Sequence, residues 1–158
     1  MAPTITPALW FDGNVEAAVQ FYVSVFRDGE ILEISRFTEH GMGEPGGVMA
    51  IRYRLQGQQF LGINGGPEFR FSEAVSFLIE VDTQEEIDHY WDALTEGGEP
   101  GPCGWLKDRF GLSWQVAPRF LTEAVNHPDR ERADRMIVVM LEMGKIDLAA
   151  LRRAWDAE

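Results

Sequence analysis

The chain has 158 residues, 45% hydrophobic and 11% aromatic, enough for one domain that buries about 70% of its unfolded surface. A formal net charge of -12 argues against binding a phosphate backbone, which takes clustered Lys and Arg, and the single cysteine, Cys103, excludes an intrachain disulfide and a Cys-rich zinc site. No apolar run nears the ~20 residues of a membrane span and the N-terminus lacks a signal-peptide plan, so a cytoplasmic protein with neither nucleic-acid nor membrane partner is expected.

In chain order, Ile5 to Phe11 is an apolar run that predicts a buried strand, with Pro7, Leu9 and Phe11 on one face and Ala8 and Trp10 on the other. Asn14 predicts an N-cap for a helix carrying Val15, Ala18, Val19, Tyr22, Val25 and Phe26 at helical spacing, ended by Asp28-Gly29. Glu30 to Thr38 and Val48 to Leu55 predict strands. Between them Glu39 to Gly47 carries four glycines and a proline and reads as a loop with little to hold it, either a lid or a plain mobile connection. Gln56-Gly57 predicts a hairpin turn, and Gln59 to Asn64 a strand ending at Gly65-Gly66-Pro67.

Ala74 to Val81 predicts another apolar strand. Thr83 to Glu86 forms a capping box for a helix with Ile87, Tyr90, Trp91 and Leu94 on one face, stopped by Gly97-Gly98. Thr83 falls on Asn14, and Tyr90-Trp91 on Phe21-Tyr22, at one offset (83 − 14 = 90 − 21 = 69), which predicts a duplicated βαβββ module. Gly101 to Pro118 then predicts two short strands around a turn at Asp108 to Gly111, where Gly111 takes positive φ. In the second of these, Trp114 and Val116 face a core, and Ser113 and Gln115 a cleft. In the tail Pro128 suits a first helical turn, Gly144 stops that helix, and Asp147 caps a last one with Leu148, Leu151 and Trp155.

These residues carry a family resemblance. LWFDGNVEAAVQFYVSVF, FLGINGGPEFRFSEAVSFLIEV, CGWLKDRFGLSWQVAP and the tail HPDRERADRMIVVMLEMGKIDLAALRRAW together resemble the vicinal oxygen chelate superfamily of glyoxalase I, extradiol dioxygenases and bleomycin-resistance proteins. Within it the chain is similar to the PhnB-like branch, whose domain carries the name 3-demethylubiquinone-9 3-methyltransferase. The resemblance implies an α+β fold in which two βαβββ modules (4–67 and 72–118) form a curled mixed sheet around a cleft. Helices lie outside, a helical extension (119–157) follows, and the chain is expected as a homodimer.

In metal-dependent members His and Glu on the inner strands hold a divalent ion. Counting along the motifs, the two His positions fall at Pro7 and Ser76, and the two acids at Gln115 and near Gly62 or Asn64. A proline, a hydroxyl and neutral amides are poor donors for such an ion, and His40, His89 and His127 are scattered, so neither a metal nor another cofactor is expected. Without metal, Cys103 with Lys107 at i+4 is the best nucleophile candidate, but a strand separates such residues by roughly 13 Å, so the pair needs a bend; the bland alternative is a small buried thiol. Trp105 can stack on a flat ligand or serve a core or dimer contact, and Gln115, Asn64 and Ser76 can hydrogen-bond a polar ligand or satisfy one another directly or through water. Gly65-Gly66-Pro67 leads into Glu68-Phe69-Arg70-Phe71 rather than a helix start, which argues against a nucleotide-like methyl donor. Three functions stay open: a metal-free protein binding a small, partly apolar or aromatic molecule through Phe11, Asn64, Ser76, Cys103, Trp105 and Gln115; a lyase, isomerase or transferase acting in the same cleft; and a structural dimer with a filled cleft.

Overall fold

The computed structural model describes residues 3–157, and the chain divides into two units, Met1–Phe71 and Ser72–Glu158. The first holds β1 (Ala8–Phe11), α1 (Val15–Val25), β2 (Glu30–Arg36), β3 (Val48–Leu55) and β4 (Gln58–Asn64). The second holds β5 (Ser76–Val81), α2 (Gln84–Thr95), β6 (Glu99–Pro100), β7 (Trp105–Lys107), β8 (Ser113–Pro118), α3 (Arg119–Val125), α4 (Arg130–Leu141) and α5 (Leu148–Asp156). Strand orders β1-β4-β3-β2 and β5-β8-β7-β6 are one topology used twice. In each sheet the first strand pairs parallel with the last and the remaining pairs are antiparallel. Two mixed, unclosed βαβββ sheets with a C-terminal helical extension result, as the duplication predicts.

Apolar alternation decides which face each sheet buries. In the first unit Leu9, Phe11, Ile51, Tyr53 and Phe60 join Val15, Ala18, Val19 and Tyr22 of α1 in the core, the helix supplying its apolar stripe at i, i+3, i+4 and i+7. A Cβ on Gly62 would stand 2.6 Å from Val15 Cγ2, so that strand approaches α1 more closely than any side chain permits. In the second unit Ile79, Val81, Leu106, Trp114 and Val116 bury with Ile87, Trp91 and Leu94 of α2. Its capping box is complete: Thr83 Oγ1 accepts from Glu86 N, and Glu86 accepts from Thr83 N.

Several local expectations are corrected. Asn14 makes no side-chain cap; instead Asn64 Oδ1 accepts from Val15 N at 3.4 Å, so the N-terminus of α1 is satisfied from β4. The loop after β2 is held: Phe37 N donates to Gly47 O and Gly46 N to Phe37 O, both at 2.9 Å, and its glycines fold around the Phe37 ring. Pro128 precedes the α4 cap, Asp129, which accepts from Arg132 N. The final cap, Asp147, is as expected, accepting from Ala150 N at 2.8 Å.

Candidate functional site

The pairing register shows which predicted residues meet. Ser76 stands opposite Ser113, and Ser113 opposite Lys107; Leu78 stands opposite Gln115, and Gln115 opposite Trp105. Cross-strand partners share a face, and Trp114, Val116 and Leu106 already occupy the α2 face. Ser76, Leu78, Gln115, Ser113, Trp105 and Lys107 therefore line the face turned away from α2. On it Gln115 Nε2 donates to Ser76 Oγ at 2.9 Å. Trp105 is half-buried, while Leu78 is half exposed at 50%.

Phe11 and Asn64 belong to the first unit, and Cys103 to the second outside its strands. Phe11 is buried on the α1 face, its ring edge-on to Phe71 at 5.2 Å and 6.5 Å from Tyr22. Asn64 has both ends of its amide engaged, Oδ1 on Val15 N and Nδ2 on Val48 O at 3.0 Å. Cys103 lies in a turn before β7 rather than in a strand, with φ +56 and its N–H donated to Met143 O at 2.7 Å. The Lys107 ammonium pairs with Glu73 at 2.5 Å, so it has a carboxylate partner in place of the thiol.

The register also corrects the count to the first-module metal positions. Three residues separate β1 from α1 (12 to 14), but two separate β5 from α2 (82 and 83). The strands of the two modules therefore superpose at an offset of 70 (81 − 11) while their helix caps keep 69. Ser76 then corresponds to Thr6 rather than Pro7. Since Asn64 pairs with Phe11 and Pro118 with Val81 (118 − 64 = 54), Gln115 corresponds to Leu61 rather than Gly62. Threonine, leucine, serine and glutamine offer no carboxylate, imidazole or thiolate, and among the described residues no group of three or more His, Cys, Asp and Glu is placed to hold a metal ion. The donor set does not fit the divalent ion of the metal-dependent members.

Three features escaped the sequence. Ser113 Oγ is buried with no hydrogen-bond partner among the described residues, a costly state for a hydroxyl. Asp108, 3% exposed, accepts from Phe110 N at 2.8 Å, Leu112 N at 3.1 Å and Trp114 Nε1 at 2.9 Å, fixing the turn that aims β8. An Asp two residues before one turn amide and four before the next was its visible signal. Lastly, the segment after α4 is latched to α2. Gln84 Nε2 donates to Ile146 O at 3.1 Å, Gln84 Oε1 accepts from Leu148 N at 2.9 Å, and Lys145 bridges Asp88 and Asp92.

Comparison with known proteins places this geometry. A family model described as 3-demethylubiquinone-9 3-methyltransferase matches residues 3–117, so α3 to α5 lie outside the match. A solved PhnB protein of Bacillus cereus, described with the same methyltransferase name, shares 35% identity over 73% of this chain and 99% of its own, with a TM-score of 0.66. A structure from Pseudomonas aeruginosa has 22% identity, 74% and 98% coverage and a TM-score of 0.63. The fosfomycin resistance protein FosX of Mesorhizobium loti has 11% identity, 73% and 90% coverage and a TM-score of 0.53, a likeness of fold alone. No curated protein matches the chain.

Proposed function

Because the chain belongs to the family described as 3-demethylubiquinone-9 3-methyltransferase, within the vicinal oxygen chelate superfamily, we propose that it binds a small, partly apolar or aromatic molecule on the face of β5, β7 and β8 turned away from α2, without a metal. The observation that carries this is the neutral Ser76–Gln115 pair flanked by Trp105 and Leu78. Its one hydrogen bond leaves the Ser76 proton and the Gln115 carbonyl oxygen for a ligand, and the indole offers a flat apolar surface. Methyl transfer is disfavoured because Gly65 to Pro67 run into a non-helical segment, with Trp10 Nε1 donating to Gly66 O at 2.9 Å. They form no glycine-rich turn at a helix N-terminus for a nucleotide-like donor.

A thermal-shift and calorimetric screen with small aromatic compounds tests the reading. A binder is expected whose affinity falls about tenfold, or ~1.4 kcal/mol, in both Trp105→Ala and Gln115→Ala. A screen with no binder, or binding indifferent to both substitutions, would refute it. Homodimerisation is part of the same proposal, supported by the exposed Ile31, Leu32 and Ile34 of β2 and Met49 of β3; light scattering that returns the mass of a single chain would remove it.

A further inference from the structure

The face of the second sheet turned away from α2 carries one more feature, a charged pair beside the neutral one. Lys107 stands opposite Ser113 in register, and its ammonium contacts a Glu73 oxygen at 2.5 Å just before β5. Glu99 of β6, its partner on the other side, brings a second carboxylate. Hydrogen bonding and charge from Glu73, then charge from Glu99, hold the lysine pKa above its ordinary value. The Lys107 and Glu73 side chains are 36% and 60% exposed, so the pair is wet and weakly bound, and one carboxylate can replace another at small cost. Opposite it in register the buried Ser113 hydroxyl has no hydrogen-bond partner among the described residues.

We propose that Lys107 forms an oxyanion-recognising end of the site, with its ammonium taken by Glu73 in the free protein and the buried Ser113 hydroxyl opposite it reached only once Glu73 leaves, and that the ligand joins a carboxylate or similar oxyanion to a flat apolar body. This rests on the binding reading above. Among the described residues of β5 to β8 Lys107 is the one lysine or arginine, and an ammonium in register with a hydroxyl suits a group that accepts hydrogen bonds only. Trp105 lies two residues from Lys107 on the same face, roughly 7 Å along the strand, which suits an anion and a ring separated by two carbons. Glu73 then acts as an internal competitor, leaving Lys107 when the ligand anion enters.

Calorimetric titration with 3-phenylpropanoate and its neutral amide, 3-phenylpropanamide, tests this. The native chain is expected to prefer the acid. Removing the competitor in Glu73→Gln should strengthen acid binding about threefold to fivefold and leave the amide unchanged. Lys107→Met should abolish the preference, and Lys107→Arg should keep it. Acid affinity within twofold of native in Glu73→Gln, or an equal gain for the amide, overturns the anion assignment while the binding reading stands. If neither compound binds any form, the anion assignment falls, and the binding reading falls with it only where the aromatic screen also yields no binder.

Discussion

Replacing Asp108 should cost the fold far more than an ordinary turn residue would. The residue is 3% exposed, and its carboxylate accepts hydrogen bonds from two backbone amides of its own turn and from the Trp114 indole. Asp108→Ala strips all three donors of this acceptor within the second-module core, and losing such a buried network is worth about 3–5 kcal/mol. For a chain of this size that lowers the melting temperature by about 10 °C. Asp108→Asn separates charge from geometry. Its amide can present oxygen to the backbone pair or to the indole but not to both, leaving at least one buried donor unpaired at about 1–3 kcal/mol. Trp114→Phe removes the competing indole N–H, so the double variant Asp108→Asn with Trp114→Phe should be less destabilised than the sum of the single variants by about 1–2 kcal/mol. Urea unfolding followed by circular dichroism measures the whole cycle. Single costs below ~1 kcal/mol, or additivity within ~0.5 kcal/mol, would refute the assignment of the carboxylate as the anchor of β8.

Other perturbations test other links. Gly43→Val should loosen the loop after β2, because a Cβ there stands 2.3 Å from the Phe37 ring; limited proteolysis near Met42 should accelerate relative to the native chain. The Lys107–Glu73 contribution has a defined pH window. Glu73 is lowered from 4.5 by the Lys107 hydrogen bond, so its share is full above pH 4.5 and lost as pH falls through the lowered value. Lys107 is raised from 10.5, so its share is full below pH 10.5 and lost as pH rises through the raised value. The melting-temperature difference between native and Glu73→Gln proteins should accordingly be present at neutral pH and vanish in acid. Ser76→His combined with Gln115→Glu should gain weak nickel binding by calorimetry that the native chain lacks; tight stoichiometric uptake by the native chain would overturn the donor-set argument. Gln84→Ala cuts the latch to Ile146 and Leu148 and should cost about 1–2 kcal/mol, with faster amide exchange at Cys103 and Gly104, whose N–H groups donate to Met143 and Gly144.

Most of the architecture was legible because period and punctuation agree in this chain. The Val48 to Leu55 alternation, the Thr83–Glu86 box and the positive φ at Gly111 all follow from local chemistry. What was hidden depends on contacts distant in sequence. Asn14 has the chemistry of a cap, yet Val15 N is met by an amide 49 residues away. The glycine-rich loop looked unsupported because Phe37, which its glycines enclose, reads locally as one more strand residue. On the site, alternation correctly put Ser113 and Gln115 on one face, while the partnership of Lys107 with Glu73 crosses 34 positions (107 − 73) and left no local trace.

The extra residue between β1 and α1 explains why a motif count misleads in the first module. A strand turns over its faces with every residue, so one inserted position, absorbed where Gly13 takes φ +74, moves Pro7 from the expected ligand face to the face of Leu9 and Phe11. The face then shows Thr6 and Leu61 where the second module shows Ser76 and Gln115. Among the described residues the second module has a hydrogen-bonded polar pair at that level and the first does not. The second also has a buried hydroxyl with no hydrogen-bond partner among the described residues, a cation and a half-buried indole on adjoining strands. The asymmetry supports the proposal that the recognising groups lie on β5, β7 and β8, the strands whose approach is fixed by the Asp108 turn and by the latch of residues 143 to 148.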